Sequence, residues 1–101
     1  MTVLFVVKAM APKGREAEFN RWYDDEHVPD VLKYPGVVSA RRYKAIAGEG
    51  KYEYMAVYEL KDEATYRAFI ASDHMKALVA DYDQHFPESE RMRFAYQQVF
   101  P

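Results

Sequence analysis

The sequence has no cysteine, 4 glycines and a single tryptophan in 101 residues. Without cysteine there is no disulfide framework and no thiolate metal site, which fits a reducing, cytoplasmic setting. No apolar run approaches the length of a membrane span. The stretch Val3-Leu4-Phe5-Val6-Val7 lacks the basic lead of a signal peptide and reads as a buried strand. The net charge of -2 and pI near 5.9 give no footprint for nucleic acid or an anionic membrane. Serine and threonine are few, and no Gly-x-Ser-x-Gly turn is present to activate a nucleophile. Gly48-Glu49-Gly50 is too short for a phosphate loop and carries an acid. No histidine pair has the tight spacing of metal ligands, so neither a metal nor another cofactor is expected.

What is abundant is aromatic and apolar. Half the residues are hydrophobic, with 9 tyrosines and 6 phenylalanines, enough for one well-filled core or for a cavity lined by phenols. The length suits one domain, residues 1–101.

Patterning predicts six elements. Thr2 to Met10 is a β-rich strand. Glu16 to His27 is a helix carrying Phe19, Trp22, Tyr23 and Glu26 at helical spacing. Pro29 is expected to end or kink it, with a short turn following through Asp30, Val31 and Leu32. After the break at Tyr34-Pro35-Gly36, Val37 to Ile46 and Tyr52 to Leu60 form a hairpin around Gly48-Glu49-Gly50. Asp62 caps a helix bearing Tyr66, Phe69 and Ile70. Ser72 marks a second cap or kink, after which Met75, Leu78, Val79 and Tyr82 continue the apolar stripe. Phe86-Pro87 closes this helix, His85 reads as a loop residue, and Arg91 to Phe100 is the last strand. The order β-α-β-β-α-β with right-handed crossovers gives an α+β, ferredoxin-like fold: one antiparallel four-stranded sheet with its helices on one face.

The strands carry apolar residues on both faces. Val3, Phe5 and Val7 oppose Leu4 and Val6; Tyr54, Ala56 and Tyr58 oppose Met55 and Val57; Phe94 and Tyr96 oppose Ala95. Two helices cover one face, so the open face is expected to pair with a second copy, giving a homodimer. An RNA-binding sheet of the same topology is excluded: the third strand lacks the glycine of that pattern, and Glu53 and Glu59 would repel phosphates.

The densest polar cluster is Trp22-Tyr23-Asp24-Asp25-Glu26-His27-Val28-Pro29. Three consecutive acids near a helix C-terminus oppose the macrodipole, so helix stability alone does not account for them. Tyr23, Glu26 and His27 share a helix face, which puts Glu26 or His27 at the buried margin. A carboxylate beside the imidazole would fix its tautomer and raise its pKa, as acid–base chemistry requires. The alternative is that His27 caps the last carbonyls while the acids are solvated. His74 is placed to reach the same cavity, or else to cap locally with Ser72.

The run Phe19 to Pro29, carrying W-Y-x-x-E-H-x-P, and Tyr34 to Tyr43, carrying P-G-x-x-x-A-x-R-Y, resemble the EthD-like group of the dimeric α+β barrel superfamily. Ser72-Asp73-His74-Met75-Lys76-Ala77 is similar to the S-x-H-x-x-A stretch of related barrels. The resemblance implies a homodimer with a cavity between sheet and helices. It matches His27 to the group's helix-end histidine, and Arg42 and Tyr43 to its second-strand pair. The function it suggests is a cofactor-independent enzyme acting on a small aromatic or carbonyl-bearing metabolite by proton abstraction, leading to cyclisation, isomerisation or oxygenation. His27 would move the proton, and Glu26 or Asp24 would orient it. Trp22, Tyr23, Tyr54, Tyr82 and His74 would shape the cavity, with Arg42 facing a developing oxyanion. Two other readings stay open: a non-catalytic binder of a small ligand, in a stress-related role, and a structural dimer whose cavity is filled by side chains.

Overall fold

The computed structural model describes residues 1–101. Four strands, β1 (Val3–Ala9), β2 (Val37–Lys44), β3 (Tyr54–Leu60) and β4 (Arg91–Gln97), form an antiparallel sheet in the order β2-β3-β1-β4. This is the ferredoxin-like arrangement. The strands are shorter than the β-rich stretches of sequence: Ile46, Val99 and Phe100 lie beyond their ends and are exposed.

The inner face of the sheet follows a period of two. Val3, Phe5, Val7 and Ala9 of β1 register with Leu60, Tyr58, Ala56 and Tyr54 of β3, and all eight are buried. On the outer face, Val6 sits between Val57 and Phe94, and Leu4 lies beside Tyr96. Leu4, Tyr43, Met92 and Tyr96 on this face are exposed.

The first helical segment does not end at Pro29, and the short turn expected after it, through Asp30, Val31 and Leu32, is helical. Helix α1 (Glu16–Trp22) runs into a π-helical turn (Tyr23–His27) and then into α2 (Val28–Leu32) with helical dihedrals throughout. The Val28 N–H donates to the Tyr23 carbonyl five residues back, which widens the turn by one residue. Pro29 falls in the first turn of α2, where its missing N–H leaves no bond unmade. The helix therefore neither stops nor breaks at the proline.

Asp62 and Ser72 are caps, as their positions suggest. Asp62 accepts from the Thr65 N–H at 2.7 Å at the head of α3 (Glu63–Ile70). Ser72 accepts from the Met75 N–H at 3.0 Å at the head of α4 (Asp73–His85). His85 is the last residue of α4, not a loop residue, and its Nδ1 meets the Asp81 carbonyl at 2.9 Å. Between β1 and the helices the core is largely aromatic: Phe19 packs edge-on against Tyr23, Tyr82 and Phe86, and Phe5 against Phe69.

Candidate functional site

The π turn decides what faces the sheet. In an unbroken α-helix with Phe19, Trp22 and Tyr23 inward, Glu26 would fall on the inner side, three and four residues on. The extra residue shifts the phase. Glu26 is exposed, and His27 is buried instead at 8% exposure. Its ring stacks on Trp22, with centroids 4.8 Å apart, and meets Tyr23 and Tyr82 edge-on at 4.9 and 5.5 Å.

His27, Tyr23 and Tyr82 line a small cavity between sheet and helices, closed off by Tyr58, Phe5 and Val31. Its volume is about 30 Å³, room for about two waters. Three polar atoms on its lining residues have no protein partner although fully buried: Tyr23 OH, Tyr58 OH and His27 Nδ1. The Tyr23 hydroxyl stands close enough to those of Tyr58 and Tyr82 for a weak hydrogen-bond interaction that holds back the rise in their pKa, although none of these contacts has good hydrogen-bond geometry. Trp22 Nε1, on the indole stacked against the imidazole, is also buried and unpaired. Each orphaned polar atom costs about 1–3 kcal/mol, so a core built for stability alone would carry Phe at positions 23 and 58. The Tyr82 hydroxyl, by contrast, is shared with Ser89 Oγ at 2.9 Å, and that serine donates to the Met10 carbonyl.

Burial sets the protonation of the site. Desolvation, with smaller repulsions from Arg91 and Arg42, lowers the His27 pKa to about 4, only partly opposed by Asp30. This reverses the expected direction, because no carboxylate touches the ring. Burial also raises the pKa of the Tyr23, Tyr58 and Tyr82 phenols. At neutral pH the cavity thus presents a neutral imidazole and neutral hydroxyls able to donate hydrogen bonds.

The other residues singled out from the sequence go elsewhere. Asp24 pairs with Arg42 at 2.9 Å near the surface. Arg42 also donates to Asn20 Oδ1 and lies over the Tyr23 ring, 4.3 Å from its centroid. Tyr54 accepts from Asn20 Nδ2 at 3.0 Å. Asp24, Arg42, Asn20 and Tyr54 form a clamp joining α1 to β2 and β3, and none of them lines the cavity. His74 does not reach it either: its Nε2 meets the Asp30 carbonyl at 2.8 Å and ties α4 to α2. Tyr43 is exposed on the outer sheet face. The structure therefore brings together Trp22, Tyr23, His27 and Tyr82, and leaves Asp24, Glu26, Arg42, Tyr54 and His74 outside.

Three further residues, Tyr58, Arg91 and Arg93, also line the cavity and are not among those singled out from the sequence. Arg91 and Arg93 carried a visible signal, two cations at i and i+2 on the strand face that should be apolar. Arg91 lies 3.9 Å from the Tyr82 ring centroid and pairs with Asp83 at 3.0 Å. Next to the cavity, between α4 and β4, a wider groove of about 620 Å³ shares Phe5, Met75, Val79 and Arg93 with it.

A family described as a domain of unknown function, DUF4286, matches residues 2–94. The chain is similar to Core atranone cluster (CAC) protein 1 of Stachybotrys chlorohalonatus, with 34% identity over 59 residues. That match takes in 58% of this chain and 25% of the fungal protein, so the matched region is a quarter of that relative's length. Among solved structures, an EthD family protein of Bacillus halodurans C-125 superposes with a TM-score of 0.79 at 20% identity, covering 98% of this chain and 100% of that one. HapK of Hahella chejuensis gives 0.72 at 17% identity, covering 100% and 95%. SnoaB of Streptomyces nogalater, a cofactor-independent oxygenase, gives 0.67 at 18% identity, covering 99% and 95%. At these identities the likeness is one of fold.

Proposed function

The chain belongs to the DUF4286 family, and we propose that it is a homodimeric, cofactor-independent enzyme that abstracts a proton next to a carbonyl in a small aromatic or carbonyl-bearing metabolite. The observation that carries this reading is that Tyr23, Tyr58 and His27 line one apolar cavity with Tyr23 OH, Tyr58 OH and His27 Nδ1 fully buried and none of the three in a well-formed hydrogen bond. The base is His27. The proton moves from the substrate carbon to the imidazole, and the electron pair passes to the carbonyl oxygen, where the phenols donate to the developing oxyanion. Arg42 does not serve there, being engaged by Asp24 and Asn20.

An imidazole held near pKa 4 is a weak base, so the carbon must already be acidic: one between two carbonyls, or between a carbonyl and an aromatic ring. The bulk of such a molecule exceeds the inner cavity and would lie in the adjoining groove. Cyclisation and isomerisation need nothing further; oxygenation needs dioxygen as the co-reactant. SnoaB's description as a cofactor-independent oxygenase supports this class of chemistry. The whole chain would act as one domain in the cytoplasm, paired through the outer face of its sheet. No helix is long and apolar enough to cross a membrane.

The test is hydrogen–deuterium exchange, followed by NMR, across a panel of 1,3-dicarbonyl and hydroxyaromatic carbon acids. Wild type should accelerate exchange in a subset, and His27→Gln should lose at least a hundredfold of that rate. An unchanged rate in the variant ends the assignment. A second reading, a non-catalytic binder, is favoured by the lack of any carboxylate hydrogen-bonded to His27, on which Asp30 acts only at a distance. Saturable binding without exchange would support it.

A further inference from the structure

Arg93 stands opposite Val7 of β1, on the helix-facing side of β4. Every residue of β1 on that side is apolar and buried. Arg93 itself is exposed at the edge of the sheet, and Arg91, two residues earlier on the same side, is paired with Asp83. Arg93 has no hydrogen bond, ion pair or ring stack within the chain. It borders both the inner cavity and the wider groove. The groove is mostly apolar; its one acid, Asp83, is already held by Arg91, and its lysine, Lys76, is paired with Asp73 at 3.8 Å, which leaves Arg93 as its unpaired charge. An unpaired guanidinium at the junction of an apolar groove and a buried polar cavity is a fork aimed at an anion, and its planar pair of donors matches a carboxylate.

We propose that Arg93 anchors the carboxylate of an aromatic acid whose ring lies in the groove and extends toward His27, Tyr23 and Tyr58. This rests on reading the cavity as a small-molecule site, and it narrows the ligand class from aromatic or carbonyl compounds to those bearing an acid group. Arg93 is a specificity residue here; proton transfer stays with His27.

The probes are 2-naphthoate and 2-naphthamide, which share shape and differ in charge. Wild-type protein should bind the naphthoate at least tenfold more tightly than the amide, with both shifting the ring resonances of His27. R93Q removes an exposed side chain without partners and should fold normally; it should bind the two probes equally and leave the amide's affinity unchanged. Equal binding by wild type, or a tenfold preference persisting in R93Q, overturns the proposal while His27 shifts keep the cavity reading intact. Failure of both probes to perturb His27 removes the cavity reading and this proposal together.

Discussion

His27 lies flat against Trp22, five residues before it, with ring centroids 4.8 Å apart and planes 22° from parallel. In a regular α-helix residues five apart point in different directions; the π turn aligns them. The stack buries one face of the imidazole, holds Trp22 Nε1 out of contact with any acceptor, and leaves Nδ1 unpaired among phenols. The local helix geometry and the chemistry of the site are thus one feature.

Removing the hydroxyl of Tyr58 or Tyr23 tests whether the cavity is kept for function. Tyr58→Phe and Tyr23→Phe delete buried oxygens that make no well-formed hydrogen bond. Stability should hold or rise, by up to about 1 kcal/mol, while carbon-acid exchange falls at least tenfold. Tyr82→Phe breaks a hydrogen bond already made to Ser89 and should lose about 1 kcal/mol. Urea denaturation separates the cases; a Tyr58→Phe loss as large as that of Tyr82→Phe would mean its hydroxyl is satisfied internally.

His27 also makes stability depend on pH in a known direction. Its pKa is about 4 folded, against an ordinary 6.5. Between those values the unfolded chain holds the proton and the folded one does not, so stability is full above 6.5 and declines as pH falls toward 4. The contribution is at most about 3 kcal/mol. His27→Gln should flatten that decline when urea midpoints at pH 7 and pH 4.5 are compared. Parallel declines in wild type and variant would contradict the buried neutral imidazole.

The outer sheet face should carry the dimer. Val57 sits at its centre beside Val6, flanked by Phe94 across β1. Light scattering should give twice the chain mass for wild type at micromolar concentration and a single chain mass for Val57→Asp or Phe94→Asp. A wild-type monomer rules the interface out.

Gly36 joins α2 to β2 at a point where no side chain fits. Its φ is +98°, and an added Cβ would stand 2.5 Å from Thr65 Cγ2. Gly36→Ala should cost about 2 kcal/mol or more, from backbone strain plus the clash. Thr65→Ser, which removes Cγ2 and keeps the N–H that Asp62 accepts, should restore part of that loss in thermal unfolding. No recovery would place the whole effect in the backbone.

The four strands, the caps at Asp62 and Ser72, and the outward Phe94 and Tyr96 were legible because each rests on local chemistry or a period of two. His27 was legible as a candidate, since three acids at a helix end oppose the macrodipole and have no ordinary stabilising role there. Its partner was not. Helix phase accumulates along the chain, and one widened turn exchanges Glu26 for His27 without changing any nearby residue type. Arg42 is assigned to the cavity by resemblance, as one of a second-strand pair, and Tyr54 as one of the aromatics shaping it; neither signal says that both are taken up in a clamp with Asn20 and Asp24.

By itself, then, the sequence determined the ferredoxin-like topology, since alternation, turn residues and chain handedness leave one sheet order open to these segments. It also determined that a second apolar face would exist. Tertiary packing alone decided the site: which helix residue turns inward, that Tyr58 of β3, 35 residues after Tyr23, meets it there, and that one arginine of the edge strand is left without a partner. Those outcomes depend on distances between segments remote in sequence, which no local period encodes.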